Sequence, residues 1–159
     1  RKSIKGGKIA AADGNCDVGK PINYIDVFVG ISGGNYGLCA CAGIMGDFSP
    51  TCNKDNGYWP GDECGMDSMC GFSMFPCDGP TKYSSYLTDL NSDIEPEGKR
   101  IVSAWSSADD LIMYGDLVWG RPTSFIPRST DKKIYDHYTH METKESTAED
   151  QYNWVNRKN

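Results

Sequence analysis

Short runs of apolar residues along the chain predict three strands. Residues 24–29 are β-branched and aromatic and lead into the glycine-rich stretch 30–37, a pattern typical of a buried strand followed by a loop at the edge of a sheet. Residues 100–105, Arg-Ile-Val-Ser-Ala-Trp, predict a second strand, and residues 132–138 predict a weaker third one. The three strands lie far apart along the chain.

Apolar residues at helical spacing predict a helix between the first two strands. Tyr83, Tyr86, Leu87 and Leu90 fall at i, i+3, i+4 and i+7, which places them on one face of a helix that ends near residues 91–93. This apolar face is expected to cover the sheet.

Both ends of the chain also carry helix signals. Residues 1–5 followed by Gly6 and Gly7 predict the last turn of a helix, because glycine readily adopts the left-handed conformation that closes one. A helix end at this point indicates that part of the protein precedes the sequence. Residues 146–149, Ser-Thr-Ala-Glu, fit a capping box that begins a closing helix. The apolar face of that helix consists of Ala148, Tyr152 and Val155.

Strands separated by helices predict an α/β fold, with a mostly parallel sheet and helices on its faces. The chain has 159 residues and a hydrophobic content of 38%, which suits one compact domain with a core. We therefore predict a single domain spanning residues 1–159.

A cysteine-rich segment interrupts this pattern. Residues 39–80 are rich in Gly, Pro, Asp, Asn and Cys and show no sustained period, so they predict an irregular insertion within the domain. Zinc sites usually use Cys-x2-Cys pairs or closely spaced histidines, whereas this chain has Cys39-x-Cys41 and two late histidines. At least two disulfides are predicted instead, which implies an oxidising, extracellular compartment. The seven cysteines are Cys16, Cys39, Cys41, Cys52, Cys64, Cys70 and Cys77.

The odd number of cysteines leaves one of them free, paired with another chain, or paired with a residue outside the sequence. The sequence does not fix the connectivity. No metal and no cofactor is predicted.

Charge and hydropathy exclude two classes of partner. The net charge is −6 and no Lys/Arg cluster exceeds two adjacent residues, so no nucleic-acid-binding surface is predicted. The longest apolar stretches, 25–31 and 111–114, fall far short of the roughly 20 residues that span a bilayer, so no transmembrane segment is predicted.

Two polar residues follow predicted strands at positions where α/β sheets carry functional groups. Asp109 comes shortly after the second strand, and His140 comes after the third. Asp followed by His, each after its own strand, is the order of the acid and base of an α/β-hydrolase triad. Asp109 could instead cap a helix or lie in a solvated turn, and His137 is a candidate base of the same residue type. We expect Asp109 and His140 to face each other, and Asp110 and His137 to point elsewhere.

The serine of such a triad has one candidate in the chain. Gly30-Ile31-Ser32-Gly33-Gly34 matches the letters G-x-S-x-G after a strand. A nucleophile elbow must lead directly into a helix, and residues 35–39 are a poor helix start. Ser32 is therefore predicted to lie in a loop near the site, with a role as nucleophile kept as the alternative.

The segment 102–109 and His140, together with motifs distributed over nearly the whole chain, resemble class 2 lipases of the EstA/EstB family. The cysteine-bearing motifs are most similar to the secreted, disulfide-bearing animal branch of that family. The motifs are Gly6-Gly7-Lys8, Cys16-Asp17, Asp26-Val27-Phe28-Val29-Gly30, Asn35-Tyr36-Gly37, Thr51-Cys52-Asn53, Asn56-Gly57, Glu97-Gly98-Lys99, Gly120-Arg121-Pro122-Thr123-Ser124, Ile126-Pro127 and Thr139-His140.

This resemblance implies secretion and hydrolysis of triacylglycerol-like or other lipid esters, with transient contact to a lipid interface. It assigns Asp109 as triad acid and His140 as triad base, and it places the nucleophilic serine before Arg1. The chain would then be the C-terminal part of an α/β-hydrolase and inactive alone. Two other functions are kept: a non-catalytic, disulfide-linked secreted binding module, and a complete small esterase that uses Ser32.

Overall fold

The three predicted strands form one parallel sheet in a computed structural model, which describes residues 1–11, 14–42, 45–61 and 83–156. In chain order the helices and strands are α1 (Lys2–Lys5), β1 (Lys8–Ala11), β2 (Gly14–Asp17), β3 (Val27–Ile31), α2 (Met45–Phe48), α3 (Ser85–Ser92), β4 (Arg100–Ser106), β5 (Leu117–Val118), β6 (Arg121–Pro122), β7 (Asp131–Tyr135), α4 (His140–Glu145) and α5 (Ala148–Asn156). Short 3-10 turns occupy Cys39–Cys41, Pro50–Cys52 and Tyr114–Asp116.

The central strand of the sheet is β4, with β3 on one side and β7 on the other. Both pairings are parallel, and β4 is buried along six of its seven residues. A strand covered on both faces is expected to be continuously apolar, which explains the Ile-Val-Ser-Ala-Trp run. The predicted α/β fold, with a parallel sheet flanked by helices, is confirmed.

Two helices from the later part of the chain pack on this sheet. Helix α4 contacts β4 and α5 contacts β3. Arg100, the first residue of β4, links this strand to α5 and β7. Its Nη1 donates to the carbonyl oxygen of Trp154 at 2.7 Å, and its Nε donates to the carboxylate of Asp131 at 2.8 Å. In α3 the predicted apolar face is present, with Leu87 and Leu90 buried.

Several element boundaries differ from the sequence prediction. The first strand begins at Val27 and extends to Ile31, and the third ends at Tyr135, three residues earlier than expected. His140 consequently lies on a short helix, α4, that was not predicted. A capping box is present at this helix, and the closing helix begins at Ala148.

The predicted helix end at the start of the chain is confirmed. Helix α1 ends at Lys5 and is capped by Gly6, which has φ 71°; a Cβ atom on Gly6 would lie 2.7 Å from the backbone oxygen of Gly19. Both the left-handed backbone and the close approach of residues 19–21 require glycine at this position.

Disulfides link the part of the cysteine-rich segment that is described. Cys41 and Cys52 are bonded to each other, with a Cα–Cα distance of 4.9 Å, and Cys39 is also disulfide-bonded. The prediction of at least two disulfides is therefore confirmed. Cys16 is free and exposed. Residues 62–80 of the predicted insertion lie outside the described residues.

Candidate active site

Asp109 lies just beyond the carboxyl end of β4, in a turn that folds around its own carboxylate. Oδ1 of Asp109 accepts hydrogen bonds from the backbone N–H groups of Leu111 at 3.0 Å and Ile112 at 2.7 Å. The side chain is completely buried. Two backbone donors on one oxygen fix the orientation of the carboxylate and leave Oδ2 available to another partner.

That partner is His140, the first residue of α4. Its Nδ1 lies 2.8 Å from Oδ2 of Asp109, and 24% of the histidine side chain is exposed. A carboxylate can only accept a hydrogen bond, so this contact places a proton on Nδ1 and leaves Nε2 able to receive one. Within the described residues, Nε2 of His140 has no hydrogen-bond partner.

The start of α4 is fixed by a reciprocal hydrogen-bond pair. The hydroxyl of Thr139 accepts from the backbone N–H of Glu142, and the carboxylate of Glu142 accepts from the backbone N–H of Thr139. This capping box sets where the helix begins, and therefore where His140 stands relative to β4.

The expectation that His137 and Asp110 point away from the site holds for only one of them. His137 is exposed and pairs with Asp136 at 2.7 Å, away from Asp109, as expected. The expectation for Asp110 was wrong, because its Oδ1 accepts a hydrogen bond from the backbone N–H of His140 at 3.0 Å. Two consecutive aspartates therefore contact the same histidine, one at the ring and one at the backbone.

Ser32 lies directly after β3, at the same carboxyl edge of the sheet. Its backbone N–H donates to the carbonyl oxygen of Ala104 at 2.9 Å, its φ is 46°, and its buried Oγ has no hydrogen-bond partner in the described part of the chain. A left-handed residue at a strand end is one feature of a nucleophile elbow. The second feature is missing, since residues 33–38 form a turn and an isolated bridge between Asn35 and Gly37 rather than a helix.

Asp116 is a second buried carboxyl group close to the Asp109–His140 pair. It accepts hydrogen bonds from the backbone N–H of Ser124 at 3.1 Å and from its hydroxyl at 2.5 Å. Burial raises the pKa of Asp116 to about 7; the bonds from Ser124 oppose this rise and the charge of Asp109 adds to it. No sequence signal pointed to Asp116, because its surroundings depend on how β6 and the residues after it fold back onto the 3-10 turn at Tyr114–Asp116.

A cavity of about 370 Å³ lies elsewhere in the molecule. Residues 4–5, 21–23, 25 and 95–99 line it, and the last two groups of residues come just before β3 and β4. The cavity is therefore at the amino edge of the sheet, opposite the Asp109–His140 pair, and has no part in the candidate site.

Two further properties concern the described ranges only. They contain no group of three or more His, Cys, Asp or Glu side chains arranged for a metal ion. None of their helices combines the length and apolarity needed to cross a bilayer.

Comparison with known proteins identifies the family. Residues 1–153 match the family described as lipase (class 2). No curated protein and no solved structure gives a significant match. The family match extends over nearly the whole chain, including β3, β4, β7 and the Asp109–His140 pair, and it indicates a lipase or esterase type of hydrolase. The chain thus belongs to the class 2 lipase family.

Proposed function

We propose that this chain supplies the acid and the base of a serine carboxylic ester hydrolase, with Asp109 and His140 in these roles. The observation that carries the proposal is the 2.8 Å contact between Nδ1 of His140 and the buried carboxylate of Asp109. The carboxylate would fix the tautomer and stabilise the imidazolium that forms when Nε2 takes the serine proton. A non-catalytic binding module would not require these two side chains to meet, so their contact supports the hydrolase over that alternative.

The attacking serine, in this proposal, belongs to a part of the protein that precedes residue 1. Ser32 is a poor nucleophile because its Oγ is buried and makes no hydrogen bond to His140. No helix begins directly after it, so Ser32 lacks the helix N-terminus whose backbone donors normally stabilise the oxyanion at an elbow serine. Its left-handed φ and position after β3 still make it the one internal alternative.

A short-chain chromogenic ester separates these two possibilities. The purified 159-residue chain is expected to show no enzymatic hydrolysis, because His140 would act on no positioned hydroxyl, and loss of one oxyanion donor alone costs roughly 10²–10³ in rate. The chain with Ser32→Ala is the comparison. Robust hydrolysis by the chain that disappears in the variant would identify Ser32 as nucleophile and contradict the proposal.

The roles of Asp109 and His140 are tested in the full-length lipase that includes the upstream serine. Asp109→Asn and His140→Ala are each expected to lower turnover by roughly 10³–10⁴, with little change in folding, because triad members act as a unit. His137→Ala is the matched control, since His137 pairs with an exposed aspartate instead. Equal losses in the His137 and His140 variants would contradict the assignment.

Exposed apolar side chains near the pair support a lipid or other apolar ester as substrate. Leu111, Met113 and Tyr114 follow Asp109, Met141 follows His140, and all four are exposed. Apolar groups of this kind, grouped beside a polar site, are typical of contact with an apolar ligand or a lipid surface. Binding of the full-length protein to zwitterionic vesicles should weaken when Leu111 and Met113 are both changed to Ser; unchanged binding would exclude this surface.

Secretion is the compartment that this proposal assigns to the protein. The disulfide between Cys41 and Cys52, together with the disulfide-bonded Cys39, fits an oxidising environment. An oxidising compartment also agrees with the proposed membership of the secreted, disulfide-bearing animal branch of the EstA/EstB lipases. Recovery of the full-length protein from the culture medium of expressing cells, rather than from the cell pellet, is the expected result.

A further inference from the structure

Asp110 makes a contact with His140 that the triad does not require. Its Oδ1 accepts the hydrogen bond of the His140 backbone N–H at 3.0 Å, while the neighbouring Asp109 binds the ring of the same residue. No ion pair involves Asp110 within the described residues, and its side chain is exposed. The backbone N–H of His140 is therefore the partner that holds the Asp110 side chain in place.

The backbone N–H of His140 needs an acceptor from outside its own helix. The first N–H groups of a helix have no partner within it. The capping box satisfies the N–H of Glu142 and that of Thr139, and neither of its side chains accepts from His140. Asp110 fills this position, so the α4 residue that carries the ring is hydrogen-bonded to the loop that carries the acid.

The loop that presents Asp110 is itself held in place. The Asp109 carboxylate accepts from two backbone N–H groups of the following turn, and the Asp109 carbonyl accepts from the N–H of Met113 at 3.1 Å. Asp110 lies inside this turn. Its carboxylate and that of Asp109 thus come from one ordered unit and contact His140 at two separate atoms.

We propose that Asp110 is a positioning residue for the catalytic base: its hydrogen bond to the His140 backbone fixes the start of α4 so that Nδ1 stays on Asp109. A ring held only through Nδ1 can pivot about that single bond, whereas a second bond at the backbone removes this freedom. Small displacements of a catalytic group can lower rates by up to about 10²-fold. The proposal rests on the assignment of His140 as base.

Three substitutions separate the position of the acceptor from its charge. Asp110→Asn keeps an oxygen at the same place and removes the charge; Asp110→Glu keeps the charge and moves the oxygen; Asp110→Ala removes both. If position matters, kcat of the full-length lipase falls about 5–20-fold in Asp110→Ala, with KM changed less than about 2-fold. A clear loss of kcat is also expected in Asp110→Glu. Asp110→Asn should keep most of the wild-type kcat. Asp136→Ala, which removes the exposed carboxylate beside His137, leaves kcat unchanged.

A second measurement needs no catalytic activity. In the ¹⁵N-labelled 159-residue chain, the His140 amide should exchange with solvent faster in Asp110→Ala than in wild type or Asp110→Asn, and the Nδ1 proton resonance should broaden in the same variant. Failure of the ester hydrolase proposal would abolish the kinetic readout and leave these two spectra intact. The positioning role is excluded if Asp110→Ala keeps the wild-type protection of the His140 amide. It is also excluded if Asp110→Asn loses as much kcat as Asp110→Ala.

Discussion

Three aspartates in one short loop meet three different environments. Asp109 is buried and accepts two backbone hydrogen bonds besides its contact with His140, so both oxygens of its carboxylate have partners. Asp110 is exposed and bonds to a backbone N–H. Asp116 is buried, with both of its hydrogen bonds from Ser124, a neutral residue. Burial and donors, rather than residue type, therefore distinguish the three side chains.

Asp116 makes the stability of the fold depend on pH. Its pKa is about 7 in the folded chain against 3.8 as the ordinary value, so the folded state retains this proton where the unfolded state has lost it. The resulting stabilisation is complete below pH 4 and is lost as pH rises from there through 7. Asp116→Asn, which is neutral and can still bond to Ser124, should gain stability relative to wild type as pH increases.

Urea unfolding at pH 5 and pH 8 measures this difference. The variant minus wild-type free energy of unfolding should be more positive at pH 8 by a few kcal/mol at most, since each pKa unit corresponds to about 1.4 kcal/mol. Asp136→Asn is the matched control and should show no such gain between these pH values, because His137 lowers the pKa of this exposed carboxyl group and the group is charged at both. A difference for Asp116→Asn that is the same at both pH values would contradict the raised pKa.

Helix α4 is the element that brings the candidate base to its place. It has only six residues, His-Met-Glu-Thr-Lys-Glu, too short and too polar for a detectable apolar period. Short helices depend on their ends, and the Thr139–Glu142 capping box provides that stabilisation here. The Thr-x-x-Glu spacing was thus the one sequence signal that could have found this helix.

Loss of the cap should affect both stability and activity. Thr139→Ala removes the acceptor of the Glu142 N–H and is expected to cost about 1 kcal/mol in the free energy of unfolding, as for other N-cap residues. Under the proposed function, ester hydrolysis by the protein that includes the proposed upstream serine should fall as well, because His140 is the next residue. Thermal unfolding and kcat are the two measurements.

Ser84→Ala is the comparison for that effect. Ser84 caps α3 by accepting from the N–H of Leu87, far along the chain from His140. This variant should also lose stability but keep kcat in the folded protein. Similar losses of kcat in both variants would show that general destabilisation, and not the position of α4, determines activity.

The elements that sequence predicted and those it missed differ in burial. Strand β4 and helix α3 bury apolar side chains, and β3 half-buries its own, so their hydrophobic pattern was visible. The β1–β2 hairpin has no such pattern, since β2 is exposed along its whole length. In the candidate site, Asp109 and His140 followed from their positions after strands. The bond from Asp110 could not be predicted, because it depends on the exact start of α4.

At the scale of the whole molecule, covalent links supplement a small sheet. The described part has a three-stranded sheet, and the loops around residues 39–52 are joined by the Cys41–Cys52 disulfide. Reduction is expected to lower the free energy of unfolding by about 2–5 kcal/mol, as for native disulfides in small secreted domains. Urea unfolding with and without dithiothreitol measures this change.

Cys16→Ser provides the control for the reduction experiment. Cys16 is free and exposed, so its replacement should leave the unfolding midpoint unchanged under oxidising conditions. An unchanged midpoint after full reduction of the wild-type chain would contradict a stabilising role for the disulfides. Thiol titration that finds seven reactive cysteines in the folded, unreduced chain would contradict their formation.

The two pairings of β4 differ in the length of chain that they enclose. Its register with β7 joins residues about 30 positions apart, whereas its register with β3 joins residues about 70 positions apart. Closing the longer loop costs more chain entropy and is expected to be slower. The segment from β4 to α4 contains both Asp109 and His140, so we expect these two side chains to meet early during folding, before β3 completes the sheet beside them.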